Sequence, residues 1–156
     1  AAAALVVASV GSLLLGEGAP ALSRPLVEMV AASTPIAVAS TSGKPTVLEF
    51  FRQECRYCNE AAAGGLGEVE QMARQKGVNW VMLDTDDVST TRYVQKYGVY
   101  MLPHFEFISA SGLRDDVPEE GGPVDISRIA ARVAMLTETD RQGDDQPPGL
   151  VFPQGR

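Results

Sequence analysis

Two cysteines, Cys55 and Cys58, are the residues of this sequence best suited to chemistry. They are its only cysteines, and their spacing is too short to join distant segments and one pair short of a four-cysteine zinc site. Two thiols at this spacing can instead form a disulfide with each other and exchange it with other proteins. We therefore predict thiol–disulfide exchange at Cys55-Arg56-Tyr57-Cys58.

The position of the pair along the chain predicts different roles for the two thiols. Residues 46–51, TVLEFF, are β-branched and aromatic around a single carboxylate and predict a buried strand, and a helical pattern begins at Cys55. The unpaired N–H groups and the macrodipole of a helix N-terminus stabilise a thiolate. Cys55 is therefore predicted to be the exposed attacking nucleophile, and Cys58, one turn inward, the buried resolving thiol.

Charged side chains surround Cys55 in the sequence. Arg52 and Arg56 are expected to favour its thiolate, whereas Glu54 opposes it, so that the balance mildly favours the thiolate. Glu49 stands six residues before Cys55 between apolar neighbours. We expect Glu49 to be buried and its pKa to be raised, because desolvation favours the neutral carboxyl.

Composition excludes several other classes of function. The formal net charge is −7, and the basic residues form no cluster that could follow a phosphate backbone, so no nucleic-acid partner is expected. The single histidine, His104, cannot complete a metal site with two thiols. We predict no metal and no other cofactor, and we interpret His104 as a residue that borders the site.

Strand and helix patterns alternate along the chain and favour an α/β fold with parallel pairing through right-handed crossovers. Strands are predicted at 46–51, 78–83 and 105–108, and 113–117 could pair back weakly in the antiparallel sense. Helices are predicted at 24–32, 55–76, 89–97 and 126–136. Gly64, Gly65 and Gly67 are expected to kink or unwind the second of these helices.

The ends of the chain differ in composition from its centre. Residues 1–15 are an uncharged apolar run, shorter than a spanning helix needs unless it continues upstream. It could be a membrane anchor, which we favour, a cleavable signal core, or a buried or disordered arm. We assign residues 1–22 to an anchor or signal-like segment with its linker, 23–137 to one domain, and 138–156 to a flexible tail rich in Pro, Gly and Asp.

The motifs taken together resemble the thioredoxin superfamily over residues 24–136. They are KPTVLEFF at 44–51, the Cys-x-x-Cys pair, Tyr97-Gly98-Val99 and Leu102-Pro103. The resemblance implies the thioredoxin fold, a central mixed sheet flanked by helices. It also implies that Glu49 is the buried carboxylate that shuttles the proton of the resolving thiol.

The same resemblance assigns residues to the binding of substrate. It implies that Pro103 is a cis-proline that faces the dithiol and, with Leu102, offers backbone groups to an extended substrate. Arg56 and Tyr57, between the two cysteines, are assigned to docking and to tuning the reduction potential.

Within the superfamily, residues 79–84, NWVMLD, and 102–105, LPHF, are most similar to the membrane-anchored thioredoxin-like proteins of thylakoids and cyanobacteria. That similarity implies a reductant for lumenal protein clients, held in the thylakoid membrane of the chloroplast with its domain facing the lumen, and a link to photosynthesis through assembly of the cytochrome bf complex.

Three departures from the family pattern support a second hypothesis. Glu54 replaces the tryptophan usual before the first cysteine, Ala63 replaces the helix proline, and Gly64-Gly65 loosens the helix behind the site. The alternative is a thioredoxin-fold structural subunit of a photosynthetic membrane complex, cytochrome bf or a photosystem, in which the dithiol is not essential.

Overall fold

The computed structural model describes residues 25–115 and 118–144, with side chains as far as Glu138. Its sheet is built around β1, Thr46–Phe51, in which every residue is buried. β2, Asn79–Asp84, pairs with β1 in parallel, and β3, His104–Ile108, pairs with the other edge of β1 in the antiparallel sense. β4, Glu119–Glu120, adds to β3, giving the order β2-β1-β3-β4. The predicted α/β fold with a mixed sheet is confirmed.

Helices cover both faces of this sheet. In chain order they are α1 Leu26–Ala32, α2 Ile36–Ala39, α3 Arg56–Ala61, α4 Gly67–Gln75, α5 Thr91–Tyr97 and α6 Ile126–Asp144. Because side chains alternate along a strand, Val47 and Phe51 join the core beneath α1, α3, α4 and α6. Leu48 and Phe50 join a smaller core beneath α2 and α5.

A π-helical segment, Ala62–Leu66, joins α3 to α4. Within it Gly65 has a φ of 112°, a conformation that side chains other than that of glycine rarely adopt. The predicted interruption of the helix at the glycines is confirmed. The non-helical Gly65 separates α3, which carries Cys58, from α4.

Some element boundaries differ from the prediction. The last helix does not end at Leu136 but continues to Asp144, because polar residues are compatible with the exposed face of a helix. The weak antiparallel pairing expected for 113–117 is present in its described residues as a bridge between Ile108 and Arg114, with the N–H of Asp115 donating to the carbonyl of Phe107 at 3.0 Å. β4 also pairs with β3, and Glu120 lies opposite His104. The short helix α2 had no clear signal in the sequence.

The predicted segment 1–22 and residues 145–156 of the predicted tail lie outside the described residues. Among residues 25–115 and 118–144, none of the helices combines the length and the apolar character that a membrane crossing requires.

The burial of α1 against the sheet predicts that this helix is an integral part of the domain. Met29 is 0% exposed, whereas Val27 on the same helix is 68% exposed. Met29→Ala should lower the free energy of unfolding by about 3 kcal/mol because it leaves a cavity. Val27→Ala should change it by less than about 0.5 kcal/mol. Denaturant unfolding of both variants tests this, and equal small effects would show that α1 unfolds separately from the sheet.

Candidate active site

The two cysteines form a disulfide at the start of α3. Cys55 is the N-cap residue of the helix and is half-buried, whereas Cys58 is 0% exposed. The backbone N–H of Cys58 donates to Cys55 Sγ at 3.2 Å. Cys58 is buried as predicted, whereas Cys55, predicted to be exposed, is half-buried and remains the more accessible of the two; their order of reaction stays a prediction.

A short turn carries the chain from β1 to this helix. The backbone N–H of Cys55 donates to the carbonyl of Arg52 at 3.1 Å. One turn into the helix, Asn59 Nδ2 donates to the carbonyls of Gln53 and Cys55, at 2.7 and 2.9 Å. These bonds fix Cys55 at the helix N-terminus, where the N–H group of Cys58 faces its sulfur.

The two arginines near the dithiol are paired with carboxylates. Arg56 Nε lies 2.7 Å from Glu60 Oε1, and Arg52 Nε lies 3.7 Å from Asp86 Oδ1. A nearby negative charge therefore offsets part of their expected contribution to a thiolate on Cys55, and the mild preference for the thiolate stays a prediction. The helix N-terminus remains as the feature that favours the thiolate.

Glu49 lies in the core on the face of β1 that α3 and α4 cover. It is 0% exposed, and its Oε2 accepts a hydrogen bond from Trp80 Nε1 at 2.9 Å. Among the described residues its Oε1 has no hydrogen-bond partner. Burial raises the pKa of Glu49 to about 8; the bond from Trp80 acts against this shift, and the charge of Glu70 adds to it. The predicted burial and raised pKa are confirmed, and the donor, Trp80, is itself a buried core residue.

A groove beside Cys55 continues the site across the sheet. Its lining comprises Arg52, Cys55, Thr85, Val94, Val99, Tyr100 and Leu102. Tyr100 is 88% exposed and Met101 next to it is 53% exposed, so that an apolar edge borders the sulfur. The Leu102–Pro103 peptide bond is cis, as the resemblance implied.

The fold has counterparts among solved structures. The chain is similar to thioredoxin O2 from Arabidopsis thaliana in its oxidised state, with a TM-score of 0.52 and 19% identity over 73% of this chain and 90% of that one. It is also similar to a thioredoxin-like protein from Clostridium perfringens, with a TM-score of 0.55 and 18% identity over 80% of this chain and 90% of that one.

The chain also has sequence relatives that are named as thioredoxin-like or thiol:disulfide interchange proteins. The chain is 37% identical over 87 residues to the chloroplast thioredoxin-like protein HCF164 of Oryza sativa, a match of 56% of this chain and 32% of that protein. It is 28% identical over 137 residues to the thiol:disulfide interchange protein TxlA of Synechococcus elongatus, a match of 88% of this chain and 69% of that protein. The chain belongs to the thioredoxin superfamily.

The matches to the chloroplast relatives cover only part of those proteins. This thioredoxin-superfamily chain spans about a third of the length of the chloroplast relatives that it matches. No family model matches it. The likeness to the solved structures concerns the fold, and the sequence relatives support the thylakoid type within the superfamily.

The site residues expected from the thioredoxin resemblance are only partly brought together. Leu102 lines the groove beside Cys55, and Pro103 is buried directly after it. Arg56 and Tyr57 lie on α3 and are not part of the described lining of the groove. The Arg56 guanidinium instead stands 5.8 Å from the centre of the Tyr57 ring.

His104 does not border the site at the surface, which corrects the interpretation from sequence. It is 1% exposed, with Nε2 2.7 Å from Glu106 Oε1 and Nδ1 2.9 Å from Glu120 Oε2. Glu106, expected on a polar face, is also buried and pairs with Arg114. Both residues lie on the face of β3 that α5 covers, where these partners satisfy their polar groups.

Sequence reasoning missed two residues of this site. Tyr100 gave no signal beyond its position near the cis-proline. Glu70 is fully buried on α4, and its spacing from Leu66 and Ala73, four residues after one and three before the other, places the three on one helix face. That spacing could have identified Glu70 as a buried carboxylate.

The raised pKa of Glu49 predicts that stability falls as the pH rises. Between the ordinary value of 4.5 and about 8, the folded protein holds a proton that the unfolded chain releases. The stability present below pH 4.5 is therefore lost as the pH rises to 8. Glu49→Gln should remove this dependence and be more stable than the wild type at pH 9, by at most about 5 kcal/mol.

Urea unfolding of the oxidised protein at pH 4.5, 7 and 9 measures this effect. Glu68→Gln is the matched control, because it changes the same charge at an exposed position of α4. A Glu49→Gln variant that keeps the pH dependence of the wild type would contradict the assignment.

Proposed function

We propose that this chain is a thiol–disulfide oxidoreductase that acts on protein clients through Cys55 and Cys58. The observation that carries the proposal is the disulfide at the N-terminus of α3, with one sulfur half-buried beside a groove and the other in the core. The names of the relatives, which include a thiol:disulfide interchange protein, support the same class of reaction.

In the reducing direction, the reaction begins with the dithiol. The Cys55 thiolate attacks one sulfur of a client disulfide, forms a mixed disulfide and releases the other client sulfur as a thiolate. Cys58 then loses its proton and attacks Cys55 Sγ, which re-forms the disulfide seen in the structure and releases the second client sulfur. The client gains the two electrons that the dithiol loses, and the two client thiolates take up protons.

Glu49 is the group proposed to accept the proton of Cys58 before the resolving attack. Cys58 is buried, so its proton cannot pass directly to solvent. A carboxylate with a pKa of about 8 is a far stronger base than an ordinary one, and proton transfer is most effective when that pKa lies near the working pH. In the oxidising direction the neutral carboxyl returns the proton to Cys58.

The groove next to Cys55 is proposed to hold an extended segment of the client. Val94, Val99 and Leu102 contribute apolar side chains to its lining, and Tyr100, which also lines it, is exposed. Pro103 and Leu102 are proposed to present backbone groups to that segment, which would place the client disulfide at the exposed sulfur.

The site of action is proposed to be the thylakoid membrane, with the domain in the lumen and acting as a reductant. The names of the rice and Arabidopsis thaliana relatives, which describe them as chloroplast proteins, and the source of TxlA, Synechococcus elongatus, support it. Residues 1–22 are proposed as the anchor, and clients that include subunits of the cytochrome bf complex are proposed on the family resemblance.

Single-cysteine variants test the proposed order of attack. With insulin as a disulfide substrate, the reduced wild type should reduce it in single turnover. Cys58→Ser should accumulate a mixed disulfide between Cys55 and insulin, because the resolving thiol is absent. Cys55→Ser should form no such adduct, since Cys58 is buried. Mass spectrometry under non-reducing conditions identifies the adduct, and equal adducts in the two variants would overturn the roles.

The proposed tether is tested with two lengths of the chain in a membrane-bearing host. The chain of residues 1–156 should stay with membranes after carbonate and high-salt washing, because apolar burial in lipid is not screened by ions. Residues 23–156 should be released. Release of both would remove the anchor from the proposal.

A separate experiment tests the structural-subunit alternative. That alternative would be favoured if the Cys55→Ser, Cys58→Ser variant copurified one-to-one with a large membrane complex and the wild type had no reductase activity.

A further inference from the structure

A second carboxyl group lies in the core near the proposed proton acceptor. Glu70 on α4 is 0% exposed, as Glu49 is. Unlike Glu49, it has a cation: Arg74, one turn later on the same helix, has its Nε 3.2 Å from Glu70 Oε1. The Arg74 side chain is 37% exposed and donates to the carbonyl of Ala32 at 3.1 Å. The pair therefore joins a buried carboxyl group to a cation at the surface.

Among the described contacts, a cation lies beside Glu70 and none lies beside Glu49, so the two buried carboxyl groups do not share charge equally. Desolvation and mutual repulsion oppose the ionisation of both, so the group with the cation takes the negative charge and its neighbour retains the proton. Glu70 has Arg74, whereas the hydrogen bond that Glu49 receives comes from the neutral indole of Trp80. The charge of Glu70 is also one of the causes that raise the pKa of Glu49.

We propose that Glu70 is a positioning residue for the dithiol reaction: held ionised by Arg74, it keeps the proton on Glu49 at neutral pH and so sets the strength of that base. This inference rests on the proposed function, in which Glu49 exchanges a proton with Cys58. Glu70 acts on the reaction through the charge it presents to Glu49.

The charged residues named below, on the elements next to α4, are exposed or paired with other groups. On α1, Glu28 is exposed. On the part of α6 whose side chains are described, Arg128 and Arg132 are both paired with Glu119. The face of the sheet below α4 presents the uncharged Trp80 and Met82 beside Glu49. Arg74 is the cation that the described contacts give to Glu70.

The chemical consequence concerns the resolving step. With Glu70 neutral, Glu49 should release its proton at lower pH and be a weaker base toward Cys58. The rise of the resolution rate with pH should then move to lower pH, and its plateau should fall. Glu70→Gln is therefore expected to shift the pH profile, which the loss of a purely structural contact would not do.

The decisive measurement follows Glu49 directly in the oxidised protein, without turnover. Carboxyl carbon NMR of protein labelled at glutamate, with the Glu49 resonance assigned from Glu49→Gln, gives its titration midpoint. Glu70→Gln should lower that midpoint by about one pH unit or more, because a nearby negative charge is removed. Glu68→Gln, an exposed change of the same charge two residues away, should leave it in place. An unchanged midpoint in Glu70→Gln would overturn the proposal.

If Glu70→Gln does not fold, a second pair of variants tests whether Arg74 holds Glu70 in its ionised form. In Arg74→Met the carboxyl of Glu70 should titrate at higher pH than in the wild type, and Arg74→Lys should restore the wild-type behaviour. If Glu70 titrates alike in the wild type and both variants, Arg74 does not hold it ionised and the proposal fails.

Single-turnover kinetics test whether the effect of Glu70 on Glu49 changes the rate of the resolving step. In single-turnover reduction of insulin, Glu70→Gln should shift the pH profile of resolution, and it should produce no further shift in a Glu49→Gln background. A further shift in that background would overturn the route through Glu49. If the wild type does not reduce disulfides at all, the proposed function fails while the NMR titration still decides the coupling, so the two failures are distinguishable.

Discussion

Strand β1 places the carboxyl group of Glu49 in a part of the core from which water is excluded. A buried carboxyl group must be neutral or hydrogen-bonded, and this constraint determines which residues surround it. Glu49 can remain there because it is neutral and because Trp80 on β2 donates to one of its oxygens. That donor is in place only when β2 runs parallel to β1 in the register that puts Trp80 opposite Val47. Slipping the register by one residue would turn the indole to the other face of the sheet.

The end of the same strand positions the dithiol. A turn of a few residues after Phe51 places Cys55 at the N-terminus of α3, and one helical turn then takes Cys58 into the core that also holds Glu49. The half-buried Cys55 lines the groove, whereas Cys58 is enclosed by the core. Arg52 and Arg56 are each paired with a carboxylate. The N-terminus of α3 is therefore the main feature that favours a thiolate on Cys55.

Much of this arrangement follows from local sequence. The run 46–51 is apolar on both faces, which identifies a central strand, and Gly64 and Gly65 mark the interruption behind the site. Burial of Glu49 was predictable because its neighbours are apolar. The arginine pairs, the donor role of Trp80 and the position of β4 were not, since each depends on a residue brought close by tertiary folding. His104 and Glu106 illustrate the same limit: polar side chains are buried when distant Glu120 and Arg114 satisfy them.

The kinked segment Ala62–Leu66 fixes the orientation of α4 relative to the dithiol. Gly65 interrupts the helix within this segment, so α4 starts from a fixed turn, and each residue advances an α-helix by about 100°. Removing one residue from Ala62–Leu66 would therefore rotate the whole of α4 relative to Cys58. Gln71 would then occupy the place of Glu70 beneath the sheet, and the carboxyl would move toward solvent. The kinked segment thus determines which side chain of α4 the core receives.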